Sequence, residues 1–201
     1  MAEYREINPC PLLAPLPAVL VSCGTGERVN ALAVAWTGVV CSHPPVVSVS
    51  IRPDRFSYAM IRDSGAFVIN LVDKAHAKAL DFCGVKSGRE MDKLAACGLA
   101  PVQMEKLPGA SALDGFPVSL GCRVQQVIPL GSHDLFLGEV LQIRVRDDLF
   151  SDDGAMHLER AGLVAYSHGV YQEMGDVFGF FGWSVAREET FQRRMSAIRG
   201  K

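Results

Sequence analysis

The sequence lacks the features of a membrane protein and of a nucleic-acid-binding protein. It has no uninterrupted apolar run long enough to cross a bilayer, and its N-terminus, M-A-E-Y-R-E-I-N-P, lacks the basic and then apolar order of a signal peptide. Its formal charge is −2, so it has no excess of cations to hold a nucleic acid or an anionic lipid surface. We therefore predict a cytoplasmic protein that has neither nucleic acid nor a membrane among its partners.

The sequence also lacks the common catalytic and metal-binding motifs. Its six cysteines include no C-x-x-C pair, and its five histidines form no H-x-x-x-H or H-E-x-x-H pattern, so no metal site is predicted. It has no G-x-S-x-G elbow, no P-loop and no G-x-G-x-x-G after a strand, so serine-hydrolase and Rossmann nucleotide sites are not indicated. The cysteines are expected to be reduced, most of them as small buried apolar residues.

The residues that are present suit one folded domain. The chain has 201 residues, of which 49% are apolar and 21% are charged, which is enough to bury a sizeable core. Hydrophobic periodicity predicts strands over 17–23, 31–40, 46–52, 66–71, 116–128 and 135–146, and helices over 55–64, 75–82 and 88–97. Long strands with short helical inserts indicate a mainly β protein of the α+β class, built as a barrel or half-barrel.

Local signals add detail to these elements. The turn C-S-H-P-P is expected to join the strands 31–40 and 46–52 in a hairpin. Ser87 and Glu90 have the spacing of a capping box for the third helix. A strand or turn is expected around 165–171, and the polar residues from Arg187 onward are expected to fray.

The most informative stretch, V-V-S-V-S-I-R-P-D-R-F-S-Y, covers residues 46–58. Its strand alternates large apolar residues with small hydroxyls and ends at Arg52 and Arg55, which predicts a place for a flat ligand that carries an anion. A helix start at Ser87, with Lys93 one turn into the helix, is a second candidate for holding the anion. The alternative is that Ser87 only caps its helix and that the arginines are solvated.

A strand with a face of alanines permits two interpretations. In A-L-A-V-A-W-T-G, the residues Ala31, Ala33 and Ala35 share one face. The alanines either let a helix pack closely against the strand or form the surface on which a planar ring system lies. In the second case Trp36 and Thr37 mark the rim of that surface.

Five segments, in order, resemble the flavin reductase-like, FMN-binding split-barrel family, and most closely its flavoredoxin branch. They are N-A-L-A-V-A-W-T-G (30–38), H-P-P-V-V-S-V-S-I-R-P-D-R-F-S-Y (43–58), G-A-F-V-I-N-L (65–71), D-F-C-G-V-K-S-G-R-E-M-D-K (81–93) and G-S-H-D-L-F-L-G-E-V (131–140). The resemblance implies a six-stranded Greek-key split β-barrel with short helices, usually a homodimer, with FMN in a cleft near the subunit boundary. It implies a single domain over residues 1–201, with a core at about 17–146 and a C-terminal extension at about 147–201.

The resemblance also implies roles for individual residues. Those implied to border the flavin ring and the ribityl chain are Asn30, Trp36, Thr37, Ser50, Ile51, Arg52 and Asn70. Those implied to approach or cradle the phosphate are Arg55, Cys83, Gly84, Ser87, Gly88 and Lys93. Cys83 has the alternative role of a core thiol.

One residue is implied to take part in catalysis. His133, in the turn G-S-H-D, corresponds to the family's Gly-x-His turn beside the nicotinamide or open face of the flavin. Its alternative role is to cap the hairpin loop. Tyr171 and the aromatic tail V-F-G-F-F-G-W are expected to cover either the cleft or a partner.

Three functions follow from these expectations. The first is an oxidoreductase that uses NAD(P)H to reduce flavin, which is preferred because hydride transfer to a flavin requires no protein acid or base. The second is a flavoredoxin-type electron carrier with bound FMN and a protein redox partner. The third is a split-barrel dimer that binds another ligand and catalyses nothing.

Overall fold

The computed structural model describes residues 2–199 and shows a mainly β protein with a few short helices. The strands are β1 (Leu16–Pro17), β2 (Val19–Cys23), β3 (Asn30–Val34), β4 (Thr37–Ser42), β5 (Pro45–Ile51), β6 (Ala66–Leu71), β7 (Pro101–Gln103), β8 (Ser111–Leu113), β9 (Val118–Pro129), β10 (Asp134–Val145), β11 (Val164–Ser167) and β12 (Val170–Glu173). The α-helices are α1 (Phe56–Ser64), α2 (Ala77–Val85), α3 (Lys93–Cys97) and α4 (Glu188–Arg199). Turns of 3₁₀ helix lie at Lys74–His76, Asp147–Leu149, Leu158–Arg160 and Trp183–Val185.

The main sheet has seven strands in the order β3-β2-β6-β9-β10-β5-β4. The strands β3 and β4 form its two opposite edges, although only Ala35 and Trp36 separate them along the chain. Because each extended residue spans only about 3.5 Å, the sheet must curl until its two edges meet at this link. The N–H of Ser50 donates a hydrogen bond to the carbonyl of Trp36 (2.9 Å) and holds the link against β5.

The curled sheet resembles the predicted barrel, but its closure and its number of strands differ from the prediction. Within residues 2–199 the ladder of paired strands is open at β3 and β4. The mainly β class with short helices is confirmed, whereas the count of six Greek-key strands is not.

Alternation along the strands separates two apolar clusters. In β2, Val21 points into the curl, where Phe67 and Phe136 are fully buried. Leu20 points to the other face of the sheet, where it meets Leu80 of α2 in a second buried cluster. The helices α2 and α3 therefore cover the outer face of the sheet beside its β3 edge.

The β11–β12 hairpin stands next to α2. It pairs with β1 in a separate three-stranded sheet and turns at His168 and Gly169, both of which have positive φ. The N–H of Val164 donates to the carbonyl of Val72 (3.0 Å), and Lys74 forms a salt bridge with Glu173 (2.9 Å). The expected strand or turn around 165–171 is thus a hairpin that forms a wall beside α2.

Asn70 is a fully buried hydrogen-bonding centre within the sheet. Its amide nitrogen donates to the carbonyl of Leu20 (3.0 Å) and to the hydroxyl of Ser22 (2.9 Å). Its amide oxygen accepts from the N–H of Leu113 (3.1 Å) and from the hydroxyl of Ser119 (2.8 Å). One side chain on β6 therefore ties β2, β8 and β9 together.

The predicted strand 31–40 is wrong as a single element. The N–H of Thr37 donates to the carbonyl of Ala35 (3.1 Å), and this turn breaks the strand into β3 and β4, which pair with different neighbours. The predicted hairpin is confirmed only for its second half, because β4 alone pairs with β5. The apolar run continues through the turn, so periodicity gave no sign of the break.

The predicted third helix, 88–97, is too long by five residues. It begins at Lys93, and its N-cap is Asp92, whose carboxylate accepts a hydrogen bond from the N–H of Ala95 (3.0 Å). Ser87 and Glu90 form no capping box, because the N–H of Glu90 donates to the carbonyl of Ser87 in a separate turn (3.2 Å). Asp is one of the residues preferred at an N-cap, so the capping rules fit Asp92 rather than the predicted pair of Ser87 and Glu90.

Three further differences concern the helices and the short strands. The second helix continues to Val85, three residues beyond its predicted end. The polar C-terminus, expected to fray, forms the helix α4, which buries Met195. The short pair β7 and β8 was not predicted.

The structure bears on the predictions about membrane-spanning segments and about the cysteines. Over residues 2–199, no helix is both long and apolar enough to cross a membrane. All six cysteines are unpaired thiols, of which Cys23, Cys83 and Cys122 are buried, while Cys10 and Cys41 are exposed. The cytoplasmic location stays a prediction.

Replacing Asn70 by alanine is expected to destabilise the fold. The change leaves the buried N–H of Leu113 and the hydroxyl of Ser119 without their acceptor, so the free energy of unfolding should fall by about 3 kcal/mol. Gln126→Ala, which removes an exposed amide on β9, is the control and should change it by less than about 0.5 kcal/mol. Urea titrations of both variants measure this, and similar losses for the two would contradict the role of Asn70.

Candidate functional site

A groove lies where the two edges of the curled sheet meet. Its larger part is a cavity of about 430 Å³ between the outer face of β3, the end of β5, the helix α2 and the β11–β12 hairpin. The lining residues are Ala18, Leu32, Ala33, Val34, Ala35, Trp36, Ser50, Ile51, Arg52, Arg55, Leu80, Asp81, Gly84, Val85, His133, Tyr166 and Tyr171. The volume is in the range of small-molecule sites in proteins.

For the alanine face of β3, the predicted close packing of a helix is confirmed, whereas its use as a surface for a planar ring stays a prediction. Ala31 is buried in the cluster beneath α2, as expected for close helix packing. Gly84 of α2 comes so close to β3 that a Cβ built on it would lie 3.1 Å from the Cβ of Ala33. Beyond this contact, Ala33 and Ala35 line the open cavity. A surface without bulky side chains is therefore available to a flat ligand.

Trp36 and His133 form one rim of the cavity. Their ring centroids are 4.6 Å apart, and the planes are inclined by 45°. The next residue, Asp134, is anchored by a hydrogen bond from the hydroxyl of Tyr58 on α1 (2.5 Å). The hairpin turn that carries His133 is thus fixed from inside the fold, and His133 lines the larger cavity. Its place beside the open face of a flavin stays a prediction.

The groove continues into a smaller cavity of about 120 Å³, which is rich in cations. Arg55, Gly84 and Val85 belong to the lining of both cavities, so they mark the junction. The charged residues that line the smaller cavity are Asp54, Arg55, Lys86, Arg89 and Lys93. Four cations face one carboxylate there, and that carboxylate is already paired with Arg52 (3.0 Å). This end of the groove favours an anion.

Lys93 is the buried cation of this end. Its ammonium group donates to the carbonyl of Cys83 (3.1 Å), and the residue is only 4% exposed. Burial lowers the pKa of Lys93, because water no longer stabilises its charge. An anion in the cavity would offset this cost of burial. Burial also raises the pKa of Cys83 to about 12, which fits the alternative role of a core thiol.

The loop between α2 and α3 brings its backbone to the smaller cavity. Gly88 lies against β3, where a Cβ built on it would be 2.5 Å from the amide oxygen of Asn30 and 2.7 Å from the ring of Phe56. Asn30 is itself held by a hydrogen bond to the hydroxyl of Ser57 (2.6 Å). The hydrogen bonds of residues 2–199 include none from the N–H groups of Ser87 and Gly88, so both donors remain for a ligand.

The predicted helix-start site is corrected by this geometry. The helix α3 begins at Lys93 rather than at Gly88, and its N-cap position is occupied by the carboxylate of Asp92. The anion site therefore depends on loop N–H groups and side-chain cations. Ser87, Gly88 and Lys93 still meet in one cavity, but not as the first turn of one helix.

Two residues expected to border the flavin lie elsewhere. Asn70 lines neither part of the groove, because both ends of its amide are used inside the sheet. Thr37 also lines neither part; its hydroxyl donates to the carbonyl of Ser48 (2.7 Å), and it borders an adjoining cavity beneath the N-terminal residues 10–16 that shares Trp36 and Ser50 with the groove. Contact of these two residues with the flavin stays a prediction.

The remaining predicted residues all line the groove. Trp36, Ser50, Ile51, Arg52 and His133 line the larger cavity, and Asn30, Cys83, Ser87, Gly88 and Lys93 line the smaller one. Tyr171 also lines the larger cavity, as expected. The aromatic tail does not, since Phe180 and Trp183 pack against Phe191 of α4.

Sequence reasoning missed several residues that the groove uses. Asp81 and Leu80 come from α2, and Tyr166 comes from the hairpin. Ser57 was missed because its contact, Asn30, lies 27 residues away in the chain. A signal for Asp81 existed, since the predicted helix 75–82 places it one turn before Gly84.

The groove as a whole suits a flat molecule with an anionic tail. Its larger part offers an apolar surface with an aromatic rim, and its smaller part offers cations and free N–H groups. Within residues 2–199, no group of three or more metal-ligating side chains is present.

Comparison with known proteins gives the family. Residues 13–175 match the family model described as "Flavin reductase like domain". An uncharacterized protein of Aeropyrum pernix is 32% identical over 138 residues, which cover 68% of this chain but only 52%, about half, of that relative. The FMN reductase (NADH) RutF of Cronobacter sakazakii is 30% identical over 112 residues, covering 54% of this chain and 64% of that protein.

A solved structure extends the likeness to the whole fold. The flavoredoxin of Desulfovibrio vulgaris (Miyazaki F) superposes with a TM-score of 0.84 at 28% identity, covering 92% of this chain and 100% of that one. The groove, the curled sheet and these matches agree with the resemblance drawn from the five sequence segments. The chain belongs to the flavin reductase like domain family.

Proposed function

We propose that the protein is an FMN-dependent oxidoreductase that takes electrons from NAD(P)H and passes them to flavin or to another acceptor. The observation that carries the proposal is the polarity of the groove, which has a cationic end joined to a flat apolar slot. The similarity to an FMN reductase (NADH) supports the same reaction.

The residues present fit FMN. A phosphate monoester carries about −1.5 to −2 charges near neutral pH, and the smaller cavity offers Arg55, Arg89 and Lys93 together with the N–H groups of Ser87 and Gly88. An isoalloxazine ring is flat and largely apolar, as is the surface of alanines in the larger cavity. The two cavities meet at Arg55, Gly84 and Val85, so one groove offers both the cationic end and the apolar surface.

The chain's own residues bind and orient the reactants in this proposal. Bound FMN supplies hydride acceptance and onward electron transfer. Arg55 and Lys93 neutralise the phosphate, while Ile51 and the alanines exclude water from one face of the slot. Trp36 and His133 border the open part, where they limit how a second ring can approach. No proton transfer by a side chain is needed for hydride transfer itself.

The similarity to a flavoredoxin favours one alternative function. An electron carrier would keep FMN bound and exchange electrons with a protein partner through the open rim, without a site for a pyridine nucleotide. The rim is accessible for this purpose, since Trp36 is 41% exposed. A split barrel that binds some other anionic ring and catalyses nothing is the remaining alternative.

A second copy of the chain is the proposed partner. The strand β4 is an edge of the main sheet, and its Val39 and Val40 are 80% and 53% exposed. Leu12 and Leu13 of the neighbouring N-terminal segment are exposed as well. An apolar sheet edge of this kind is usually covered in a stable protein, and homodimer formation would cover it.

The colour of the protein and a nucleotide oxidation assay distinguish the three functions. The purified protein, incubated with FMN and desalted, should retain a yellow flavin spectrum and should then oxidise NADH or NADPH when free FMN is added. A yellow protein that oxidises neither nucleotide would favour the electron carrier. A protein that stays colourless would contradict both flavin functions.

Removing the cations of the smaller cavity is expected to weaken FMN binding. Arg55→Ala and Lys93→Met should each cost about 1.5–3 kcal/mol, which raises the Kd for FMN roughly tenfold or more. Arg62→Ala, which removes an exposed arginine of α1 paired with Asp63, is the matched control and should leave the Kd unchanged. Fluorescence titration of FMN measures the Kd. Unaltered retention in the double variant would place the phosphate elsewhere.

The dimer is tested by its mass in solution. Light scattering should give about twice the chain mass of 21.8 kDa. Val39→Glu introduces a charge at the exposed edge of β4 and should shift the protein toward the monomer, whereas Glu189→Gln on α4 should not. A wild-type protein that is monomeric at micromolar concentration would refute this assembly.

A further inference from the structure

The wall of the larger cavity carries a carboxylate without a cationic partner. Asp81 lies on α2 and lines the cavity. One of its oxygens accepts a hydrogen bond from the hydroxyl of Tyr171 at 3.3 Å. The hydrogen bonds and ion pairs of residues 2–199 include none to its second oxygen, which therefore remains an acceptor.

The cations of the same cavity do not balance this charge. Arg52 is paired with Asp54 through a contact of 3.0 Å. Arg55 also faces the smaller cavity, where the proposed function places the phosphate of FMN. A second ligand that enters beside the flavin therefore meets an uncompensated negative group on the α2 wall.

Asp81 lies on the part of α2 that lines the larger cavity, outside the smaller cavity proposed for the phosphate. Gly84 and Val85 line both cavities, and Asp81 precedes them by one helical turn, so its Cβ lies about 5–6 Å from that of Val85. Asp81 thus lines the larger cavity, which Trp36 and His133 line as well.

Tyr171 keeps the carboxylate in place. It lies on β12, and its ring is 5.5 Å from that of Tyr166, which lines the same cavity. Burial and the nearby carboxylate raise the pKa of Tyr171, so its hydroxyl stays protonated and donates. The donor from the hairpin therefore occupies one oxygen of Asp81, and the other has no hydrogen-bond partner among residues 2–199.

We propose that Asp81, oriented by Tyr171, selects the second ligand of the groove: it accepts a hydrogen bond from a neutral ring that bears an amide or another N–H group, and it repels aromatic carboxylates. The inference rests on the proposed function, because the phosphate of FMN must first occupy the cationic end. The carboxamide of a reduced nicotinamide has the required chemistry. Benzoate-like acceptors do not.

The test uses benzamide and benzoate, which have nearly the same shape and differ in charge and in their N–H group. FMN-loaded protein is titrated with each probe, and binding is followed by the change in the visible flavin spectrum. Wild-type protein should bind benzamide at least about fivefold more tightly than benzoate. In Asp81→Asn the preference should fall below about twofold. Glu105→Gln, which removes an exposed carboxylate outside the groove, should keep the full preference.

The outcomes separate this inference from the proposed function. A wild-type protein that holds FMN but binds the two probes equally would overturn the role of Asp81 alone. The same holds if Asp81→Asn keeps both FMN and the full preference for benzamide, since the carboxylate would then not select between the two probes. Failure of the wild-type protein to hold FMN, visible before any probe is added, would overturn both.

Discussion

The two-residue link between β3 and β4 is the constraint on which the rest of the structure depends. Because Ala35 and Trp36 join opposite edges of a seven-stranded sheet, the sheet cannot stay flat. The curl buries one apolar face inside itself and leaves the seam between its edges as a groove. The same link supplies two residues of that groove, so the position of the site and the closure of the fold have one cause.

The groove is polarised along its length. At one end, Lys93 is buried against the carbonyl of Cys83 at a cost in desolvation, which a bound anion would offset. In the middle, Gly84 lies at the junction of the two cavities and packs closely against Ala33. In the larger cavity, Asp81 of α2 adds a carboxylate to a lining that also includes Arg52 and Arg55.

The strand β5, several groove residues and the turn at His133 were predictable from the sequence, for different reasons. The strand β5 was recognisable because its alternation is local and Pro53 follows it closely. The groove residues Cys83, Gly84, Ser87, Gly88 and Lys93 were recognised through the resemblance to the family, and the structure brings them to one cavity. The hairpin turn at His133 was recognised in the same way. These signals are either short-range or carried by a motif.

The rest depended on contacts that no local pattern reveals. The break at Ala35 interrupts a continuous apolar run, because the pairing partners of the two halves lie at opposite ends of the sheet. Asn70 carries a polar side chain in a motif segment, but its partners Leu113 and Ser119 lie more than 40 residues away and turn it into a structural residue. The contact of Asp81 with Tyr171 joins residues 90 positions apart.

A crystal structure of the protein grown with FMN would show whether the cationic end of the groove holds the phosphate. We expect electron density for the phosphate within hydrogen-bonding distance of Arg55, Lys93 and the N–H groups of Ser87 and Gly88. We also expect the ring against Ala33 and Ala35. An empty groove in such crystals, or FMN bound with its phosphate at the Trp36 end, would contradict this expectation.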